Sequence, residues 1–471
     1  MISMPLIWIG IPLLVGILLI PLVRYRKLSV GIVSTVSLLL AVLALIFPSN
    51  LAVIVLGRRF EFNPLLLLLG RLIRVDYASL TAIALLYLVN FAWNFVSLRF
   101  KVSQYFGALS LVTTAFWVTT LAVEPFLYAA VIVSIIVLIS VPLFSPRGES
   151  DQPGLFCYLI LQALAMPLIL LSGWMLAGIG SAPSASPLII RATLMVLLGF
   201  VLWLGVFPLH SWLPMLSNES HPWVVSMLLS GRQIALLVYL LYFLDRYAWL
   251  RNLPNIFTDF RLIGLVMIAV GGISAASQKN FRRLFGYFFL IETGYSLLSI
   301  GLAPSGGLTY FALLFIPKFL CYWLWSFSLG VLTEAGNFAD SSLEQLKDLL
   351  NRAPFLAAGM FFSLLALTGA PFFALFPVKR MLWGLVGGSE PKWLIFLLIG
   401  TAAMILLILN LLRLVITPTN QTDKIHEGLF AKVMICAVIL LIIMVGIFPH
   451  VFLTPWTHLL DPFTNLLTAI Q

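Results

Sequence analysis

Long apolar runs recur from one end of this 471-residue chain to the other. Each run has roughly 17–25 residues, enough for a helix to cross the hydrocarbon core of a bilayer. Backbone groups in hydrocarbon can bond only to one another, so every run must be helical. The sequence therefore predicts an all-α polytopic membrane protein with about fourteen transmembrane helices. These predicted spans lie near residues 5–23, 28–47, 76–97, 104–122, 124–144, 155–178, 189–207, 223–243, 261–277, 284–303, 308–332, 355–376, 393–413 and 430–450.

Composition excludes several classes of function. The chain is 62% hydrophobic and 9% charged, whereas soluble domains carry about 25% charged residues. No polar block of domain size interrupts the spans, so the sequence predicts no catalytic domain, no nucleotide-binding loop and no cofactor. The formal net charge is +10, but the basic residues are scattered through loops, which favours membrane anchoring over nucleic-acid binding. Cys157, Cys321 and Cys436 stand alone and lack metal-ligand spacing, so no metal site is predicted.

The loop charges predict an orientation. An even number of spans places both termini on the same side of the membrane. Loops on the opposite side carry more Lys and Arg, including Lys279, Arg282 and Arg283. By the positive-inside rule, both termini are predicted to be non-cytoplasmic. Residues 1–23 lack a basic start and a cleavage site, so they are predicted to be a retained first span.

Two spans contain prolines that should interrupt their helices. The first carries Phe207–Pro214, with prolines at both ends of its Pro-Leu-His-Ser-Trp-Leu-Pro part, and the second carries Gly369–Pro371 and later Pro377. Proline removes a backbone donor and clashes with the preceding turn, so each helix is expected to break within the membrane. Paired breaks about five spans apart indicate an inverted-repeat transporter with its ion path beside the breaks. The alternative is that these prolines serve packing alone.

Three segments carry a family resemblance. They are Leu198–Pro214, Gln278–Tyr295 and Leu367–Lys379. Together they resemble the antiporter-like membrane subunits of complex I, the NADH-quinone oxidoreductase subunits N, M and L, and of Mrp-type cation/proton antiporters. Lysine at position 379 is similar to subunits N and L, and the chain lacks the long lateral helix of subunit L. Subunit N is therefore the most similar type within complex I, although several charges of the family are missing.

The resemblance implies a domain organisation. Two inverted five-helix repeats, each with one proline-broken helix, are expected at residues 104–243 and 261–413. N-terminal transmembrane helices would precede them at 1–103, and a C-terminal helix and tail would follow at 414–471.

The resemblance also implies a function. The expected role is a membrane-arm subunit of a complex I-like NAD(P)H- or ferredoxin-quinone oxidoreductase that takes part in proton translocation coupled to electron transport. The alternatives are a subunit of an Mrp-type antiporter and a structural paralogue that moves no ions. The expected partners are other membrane subunits, protons or sodium ions and the lipid of an energy-transducing membrane, with no nucleic acid and no catalysis by this chain alone.

Three candidate proton-path residues lie in the second repeat. Lys379 follows Pro377, where backbone carbonyls freed by the break and water can share its charge, although it could instead extend to an interface beside Arg380. Lys318 is in the middle of a span and matches a family lysine. Glu292 stands where the family usually has Gln or His; it is predicted to pair with Lys318, or else to be a packing residue facing water.

The first repeat has lost the charges that the family carries. Val133 marks a stretch where the family has an essential glutamate, and Trp203 stands at its lysine position. The remaining candidates for a proton path are Arg232, which can hold charge but cannot shuttle protons, His210 in the first break, and Glu124. Glu124 is open to the alternative of an interfacial residue.

The stretch from Phe60 to Arg74 is amphipathic. It is predicted to lie at the membrane surface against a neighbour, or to form a short re-entrant or loop helix on its own bundle.

Overall fold

The computed structural model describes residues 2–47, 52–55, 58–68, 70–145, 152–176, 187–335, 341–418 and 425–470. The described chain is mostly helical. The α-helices up to residue 251 are α1 Ile11–Leu19, α2 Arg26–Ile46, α3 Leu80–Val96, α4 Phe106–Ala122, α5 Ala129–Phe144, α6 Pro153–Leu176, α7 Pro187–Leu204, α8 Trp212–Glu219, α9 Pro222–Arg246 and α10 Ala248–Arg251.

The later α-helices complete the bundle. They are α11 Ile256–Ala276, α12 Leu284–Gly301, α13 Gly307–Leu313, α14 Phe315–Ala335, α15 Leu349–Arg352, α16 Pro354–Thr368, α17 Phe376–Ser389, α18 Leu394–Ile416, α19 Leu429–Ile447, α20 Pro449–Leu453 and α21 Thr464–Ile470. A π-helix precedes α1 at Leu6–Gly10. Short 3-10 turns lie at Pro21–Arg24, Tyr77–Ser79, Ser97–Arg99, Phe126–Tyr128, Ala303–Ser305, Leu343–Leu346, Pro391–Trp393 and Thr454–Leu460.

Each predicted span contains helix among its described residues, but Glu124, residues 205–207 and residues 369–375 lie outside the helices; residues 177 and 178 of one span lie outside the described part. Among the described residues, eleven helices are long and apolar enough to cross a membrane, and three shorter apolar helices, Leu6–Leu19, Phe106–Ala122 and Pro354–Thr368, occupy the remaining predicted spans. The helical membrane fold is thus confirmed. The number of helices that cross the bilayer and the inverted-repeat layout, with its boundaries, stay predictions.

The alternative of a short re-entrant or loop helix in residues 60–74 was wrong, and the position at the membrane surface against a neighbour stays a prediction. This region forms strands of two small sheets, and its second hairpin turns through Gly70, which has φ +71°. A two-residue turn with positive φ suits a tight hairpin, so the glycine favours strands over a helix here. The sheets have the orders β1–β3–β2 and β4–β5–β6, and all neighbours are antiparallel except β1 and β3. Their strands are β1 Ile2–Ser3, β2 Ala52–Val55, β3 Arg58–Asn63, β4 Leu65–Leu68, β5 Arg71–Arg74 and β6 Val123–Glu124.

Both predicted helix breaks are confirmed. The first separates α7 from α8 and starts at Gly205, with φ +64°; the second separates α16 from α17 and starts at Gly369, with φ +80°. Proline alone does not produce them, because α5 and α6 continue through Pro142 and Pro167. Pro377 lies in the first turn of α17, where its missing N–H has no helical partner to lose. A glycine that can adopt positive φ ends each helix before the break.

The chain divides into two compact units. The first comprises Met1–Leu204, Met227–Pro254 and His458–Ala469, and the second comprises Gly205–Ser226, Asn255–Thr457 and Ile470–Gln471. In the second unit α11 packs closely on α12 and α18, because a Cβ at Gly264 would lie 2.6 Å from the Gly294 carbonyl oxygen and one at Gly272 would lie 2.5 Å from that of Gly400. Small residues let membrane helices approach this closely, and the contact fixes α12 beside the second break.

Candidate functional site

A buried ion pair lies beside the second break. Lys379, in the first turn of α17, places Nζ 2.6 Å from Oε1 of Glu292 in the middle of α12, and the two side chains are 4% and 1% exposed. The same Nζ donates to the carbonyl oxygen of Leu367, in the last turn of α16, and lies 4.1 Å from the ring centroid of Tyr295. The lysine charge is thus shared between a carboxylate and a carbonyl freed by the break, as its sequence context predicted.

The predicted partner of Glu292 was wrong. Lys318 is also fully buried, but its Nζ donates to Oγ of Ser296, 3.2 Å away, and lies 4.0 Å from the ring centroid of Phe315. Glu292 and Ser296 are four residues apart and therefore share one face of α12. The two lysines approach neighbouring positions on this face, and Lys379 holds the carboxylate.

Glu292 keeps an unused acceptor. Its Oε2 is buried and has no hydrogen-bond partner among the described residues, while Ser296 Oγ donates to the Glu292 backbone carbonyl at 3.0 Å. A carboxylate with one engaged and one open oxygen can accept a second donor. Lysine and glutamate are both able to take and release protons, so this group of Glu292, Ser296, Lys318 and Lys379, here called the lysine cluster, has the chemistry of a proton-transfer site.

The first half buries a cation of a different kind. Arg232, on α9, donates from Nε and Nη2 to the carbonyl oxygen of Trp203, at 3.1 and 2.7 Å, and from Nη2 to Gln162 Oε1. Tyr158 OH lies 3.5 Å from Nη1. Trp203 and Val133, where the family has a lysine and a glutamate, are fully buried and carry no titratable group. We call Arg232, Gln162, Tyr158 and the Trp203 carbonyl the arginine cluster.

Glu124 forms a partly exposed ion pair. It lies in β6 and pairs with Arg246, with Oε1 2.9 Å from Nη1 and the arginine half exposed. Both residues line a polar cavity of about 490 Å³ that also contains Arg74 and Asp76. The hydrogen bond to Asp76 raises the pKa of the Arg74 guanidinium. This geometry favours the interfacial interpretation of Glu124 over a place in the proton path.

His210 lies within the first break, with its ring 5.7 Å from that of Phe207 and 6.5 Å from that of Tyr287 between centroids. Its place in a proton path stays a prediction. In the described part of the chain, no three His, Cys, Asp or Glu residues come together as a metal site.

Sequence reasoning missed the residues that hold the two cations. Gln162 Oε1 accepts a hydrogen bond from Arg232, and Ser296 Oγ accepts one from Lys318. The available signal for Gln162 was its position as a lone amide in the middle of an apolar span, where a polar side chain needs a partner. Ser296 carried no comparable signal, because serine packs readily between membrane helices.

The geometry defines a class of protein: a polytopic membrane protein with two broken helices and buried cations at both breaks. Residues 174–406 match the family described as NADH:quinone oxidoreductase/Mrp antiporter, TM. The matched region belongs to this antiporter-like family, which confirms the resemblance drawn from the three sequence segments.

Curated relatives and solved structures agree with this assignment. The chain is 28% identical over 231 residues to NADH-quinone oxidoreductase subunit N of Chromohalobacter salexigens, covering 46% of this chain and 44% of that protein. It is 25% identical over 376 residues to subunit N of Buchnera aphidicola subsp. Schizaphis graminum, covering 71% and 73%. The chain spans about half the length of most of the curated relatives it matches.

The fold extends over the whole chain. A chain of the Mrp complex from Dietzia sp. matches with a TM-score of 0.81 at 16% identity, covering 99% of both chains. A chain of respiratory complex I from Thermus thermophilus matches with a TM-score of 0.77 at 19% identity, covering 98% of this chain and 100% of that one. The antiporter-like fold therefore includes the residues outside the matched family region.

Proposed function

We propose that this protein is a membrane subunit of a complex I-like quinone oxidoreductase and that its second half moves protons in response to redox chemistry elsewhere in the complex. The observation that carries the proposal is the buried Lys379–Glu292 pair at a helix break. A charge within the membrane is expensive to bury and is usually functional. The relatives that match this chain in sequence are named subunit N of NADH-quinone oxidoreductase, which favours the redox-coupled assembly.

The transferred ion in this proposal is a proton. A sodium ion would need several oxygen ligands, and the carboxylate at the break is engaged by an ammonium group. A second lysine stands one helical turn away at Ser296, and like charge repels a metal cation. Lysine and carboxylate can pass a proton between them and to water, which requires no cage of oxygen atoms.

The direct test replaces Lys379 by alanine in the intact complex. Membrane vesicles energised with electron donor and quinone would be followed with a pH-sensitive dye. We expect Lys379→Ala to abolish proton uptake while the complex still assembles. The matched control is Lys392→Ala, a well-exposed lysine three residues beyond α17, which should leave uptake intact; unchanged uptake in Lys379→Ala would refute the proposal.

An Mrp-type antiporter subunit is the second candidate. The fold match to the Mrp complex over 99% of the chain supports it. The two assignments separate in vesicles without an electron donor, because an antiporter moves protons when a sodium gradient alone is applied. Sodium-driven proton movement that is lost in Lys379→Ala would favour the antiporter.

A structural paralogue that moves no ions is the third candidate, supported by the arginine cluster in place of a titratable group at the first break. It predicts no effect of Lys379→Ala on ion movement in either assay.

The proposal includes partners and placement. The chain would work as one of several membrane subunits in an energy-transducing membrane, with both termini on the non-cytoplasmic side because the opposite loops carry more Lys and Arg. Purification in mild detergent should therefore recover other hydrophobic subunits with it. A stable monomer with full ion transport in liposomes would contradict this part.

A further inference from the structure

An apolar groove opens beside the second break. Its volume is about 640 Å³, and its walls come from Phe361 and Leu365 on α16 and from Ile405 and Leu409 on α18. Ile405 and Leu409 are 52% and 55% exposed and lie four residues apart, so they form a continuous apolar ridge. Lipid tails can cover such walls, so the apolar walls by themselves do not show whether lipid or another helix fills the groove.

The groove also contains an exposed arginine. Arg380 lines it, whereas the neighbouring Lys379 turns inward to Glu292. No carboxylate among the described residues pairs with Arg380; Glu390, the next acidic residue along the sequence, pairs with Lys392 at 3.3 Å. In the part of the chain that the structure describes, no acidic side chain neutralises the charge of Arg380.

Arg380 lies near the break and far from the loop end of α17. It stands nine residues before the helix ends at Ser389, a rise of roughly 14 Å along the helix; half of the hydrocarbon core is about 15 Å. A headgroup phosphate at the loop end of α17 would have to move by a similar distance to reach Arg380, whereas a side chain on another transmembrane helix can stand at any depth.

We propose that this groove is the docking surface for a transmembrane helix of another membrane subunit, which presents an Asp or Glu carboxylate to Arg380. Arginine binds carboxylates through two parallel hydrogen bonds, which fixes the register of such a helix. Interhelical polar contacts of this kind hold membrane helices together. The inference rests on the part of the proposed function that places the chain among other membrane subunits, and it names the surface and the chemistry of one partner.

The outer face of α17 suits a close partner helix. Gly384 and Gly388 follow Arg380 at intervals of four residues, so the three positions align on one face. A Cβ built at Gly384 or at Gly388 would meet nothing within 4 Å. A helix that engages Arg380 can therefore approach the α17 backbone above it.

The test uses the complete complex in its native membrane. A photo-activated benzophenone side chain is placed at Ile405, and a control copy is placed at Leu440, an exposed residue of α19 outside the groove. We expect light to join Ile405 to another polypeptide, at a peptide from a membrane span that contains Asp or Glu. We expect Arg380→Met to lower the yield of this adduct by about threefold to tenfold, the range measured for one interhelical polar contact.

Three further variants make the result specific. Arg380→Lys keeps the charge and should keep most of the adduct even if Arg380→Met folds poorly, and Lys392→Met should leave the yield unchanged. Arg380→Glu should lose the adduct and regain it when the partner's acidic residue is replaced by arginine. Adducts with lipid only, a partner span without an acidic residue, or a yield insensitive to Arg380 would overturn the inference.

Failure of the docking proposal can be distinguished from failure of the proposed function. Lys379→Ala should stop proton uptake and keep the Ile405 adduct, whereas Arg380→Met should lose the adduct. Loss of the adduct in both variants would show that Arg380 has no separate docking role.

Discussion

Both halves of the chain bury a cation at a helix break, and the two cations bond to equivalent backbone positions. Arg232 donates to the carbonyl of Trp203, one residue before α7 ends, and Lys379 donates to the carbonyl of Leu367, one residue before α16 ends. A broken helix leaves such carbonyls without helical partners, and either cation satisfies them. The shared feature is therefore structural.

The halves differ in what surrounds the cation. Arg232 is held by the neutral groups of Gln162 and Tyr158, and a guanidinium keeps its proton at any physiological pH. Lys379 contacts the carboxylate of Glu292, with Lys318 one helical turn along the same face. Either cation can donate hydrogen bonds to the carbonyls that a helix break leaves without partners. Proton transfer in addition requires a side chain that can release its own proton. Of the two cations, Lys379 has both properties and Arg232 has only the first.

The largest expected effect comes from breaking the Glu292–Lys379 pair. Glu292→Gln leaves a buried lysine uncompensated, and we expect it to lower the free energy of unfolding by about 3–5 kcal/mol. The double variant Glu292→Gln/Lys379→Met should be more stable than Glu292→Gln alone. Unfolding in mixed detergent micelles measures both.

A double-mutant cycle built from these variants tests which lysine is the partner of Glu292. Coupling of Glu292 to Lys379 should exceed its coupling to Lys318, which contacts Ser296 instead. Additive effects for Glu292 and Lys379 would show that the pair contributes no mutual stabilisation.

Replacing Arg232 should separate stability from transport. Arg232→Met leaves the Trp203 carbonyl and the Gln162 amide without their donor, at a loss of about 1–3 kcal/mol for each buried group. We expect lower thermal stability but unchanged proton uptake per assembled complex. If uptake instead stops in a complex that assembles normally, the arginine cluster takes part in transport and the contrast between the halves fails.

A smaller effect is expected at Ser296. Ser296→Ala removes the hydrogen bond to Lys318, which contributes about 1.5–3 kcal/mol when the donor is charged. Proton uptake should slow without stopping, because the Lys379–Glu292 contact remains. Ser299→Ala, on the same helix, is the control, since Ser299 bonds to the Gly307 carbonyl and not to a lysine; an equal slowing in both variants would assign the effect to helix packing.

The smallest effect is expected at Glu124. Its partner Arg246 is half exposed, and ion pairs of that kind contribute about 0–1 kcal/mol. Glu124→Gln should leave proton uptake unchanged and stability nearly so. A complete loss of uptake would instead place Glu124 in the proton path.

Much of the fold was predictable because hydrocarbon permits few solutions. Apolar runs of sufficient length located the helices, and the prolines of Phe207–Pro214 and of Gly369–Pro371 located both breaks. The strands between residues 58 and 74 were not predicted, since Leu65–Leu68 is as apolar as a short helix. Its partner strand Arg71–Arg74 also pairs with residues distant in sequence, Val123 and Glu124.

The amino-acid sequence by itself determined that this chain is a helical membrane protein with a region that matches the antiporter-like family, that Val133 and Trp203 are apolar, and that Lys318, Lys379 and Glu292 lie in its second half. Only the tertiary structure decided which lysine holds Glu292 and which carbonyls hold Arg232 and Lys379. The physical reason is that helical periodicity fixes which residues share a face, as it does for Glu292 and Ser296, whereas the choice of partner depends on how α12, α14 and α17 pack around that face.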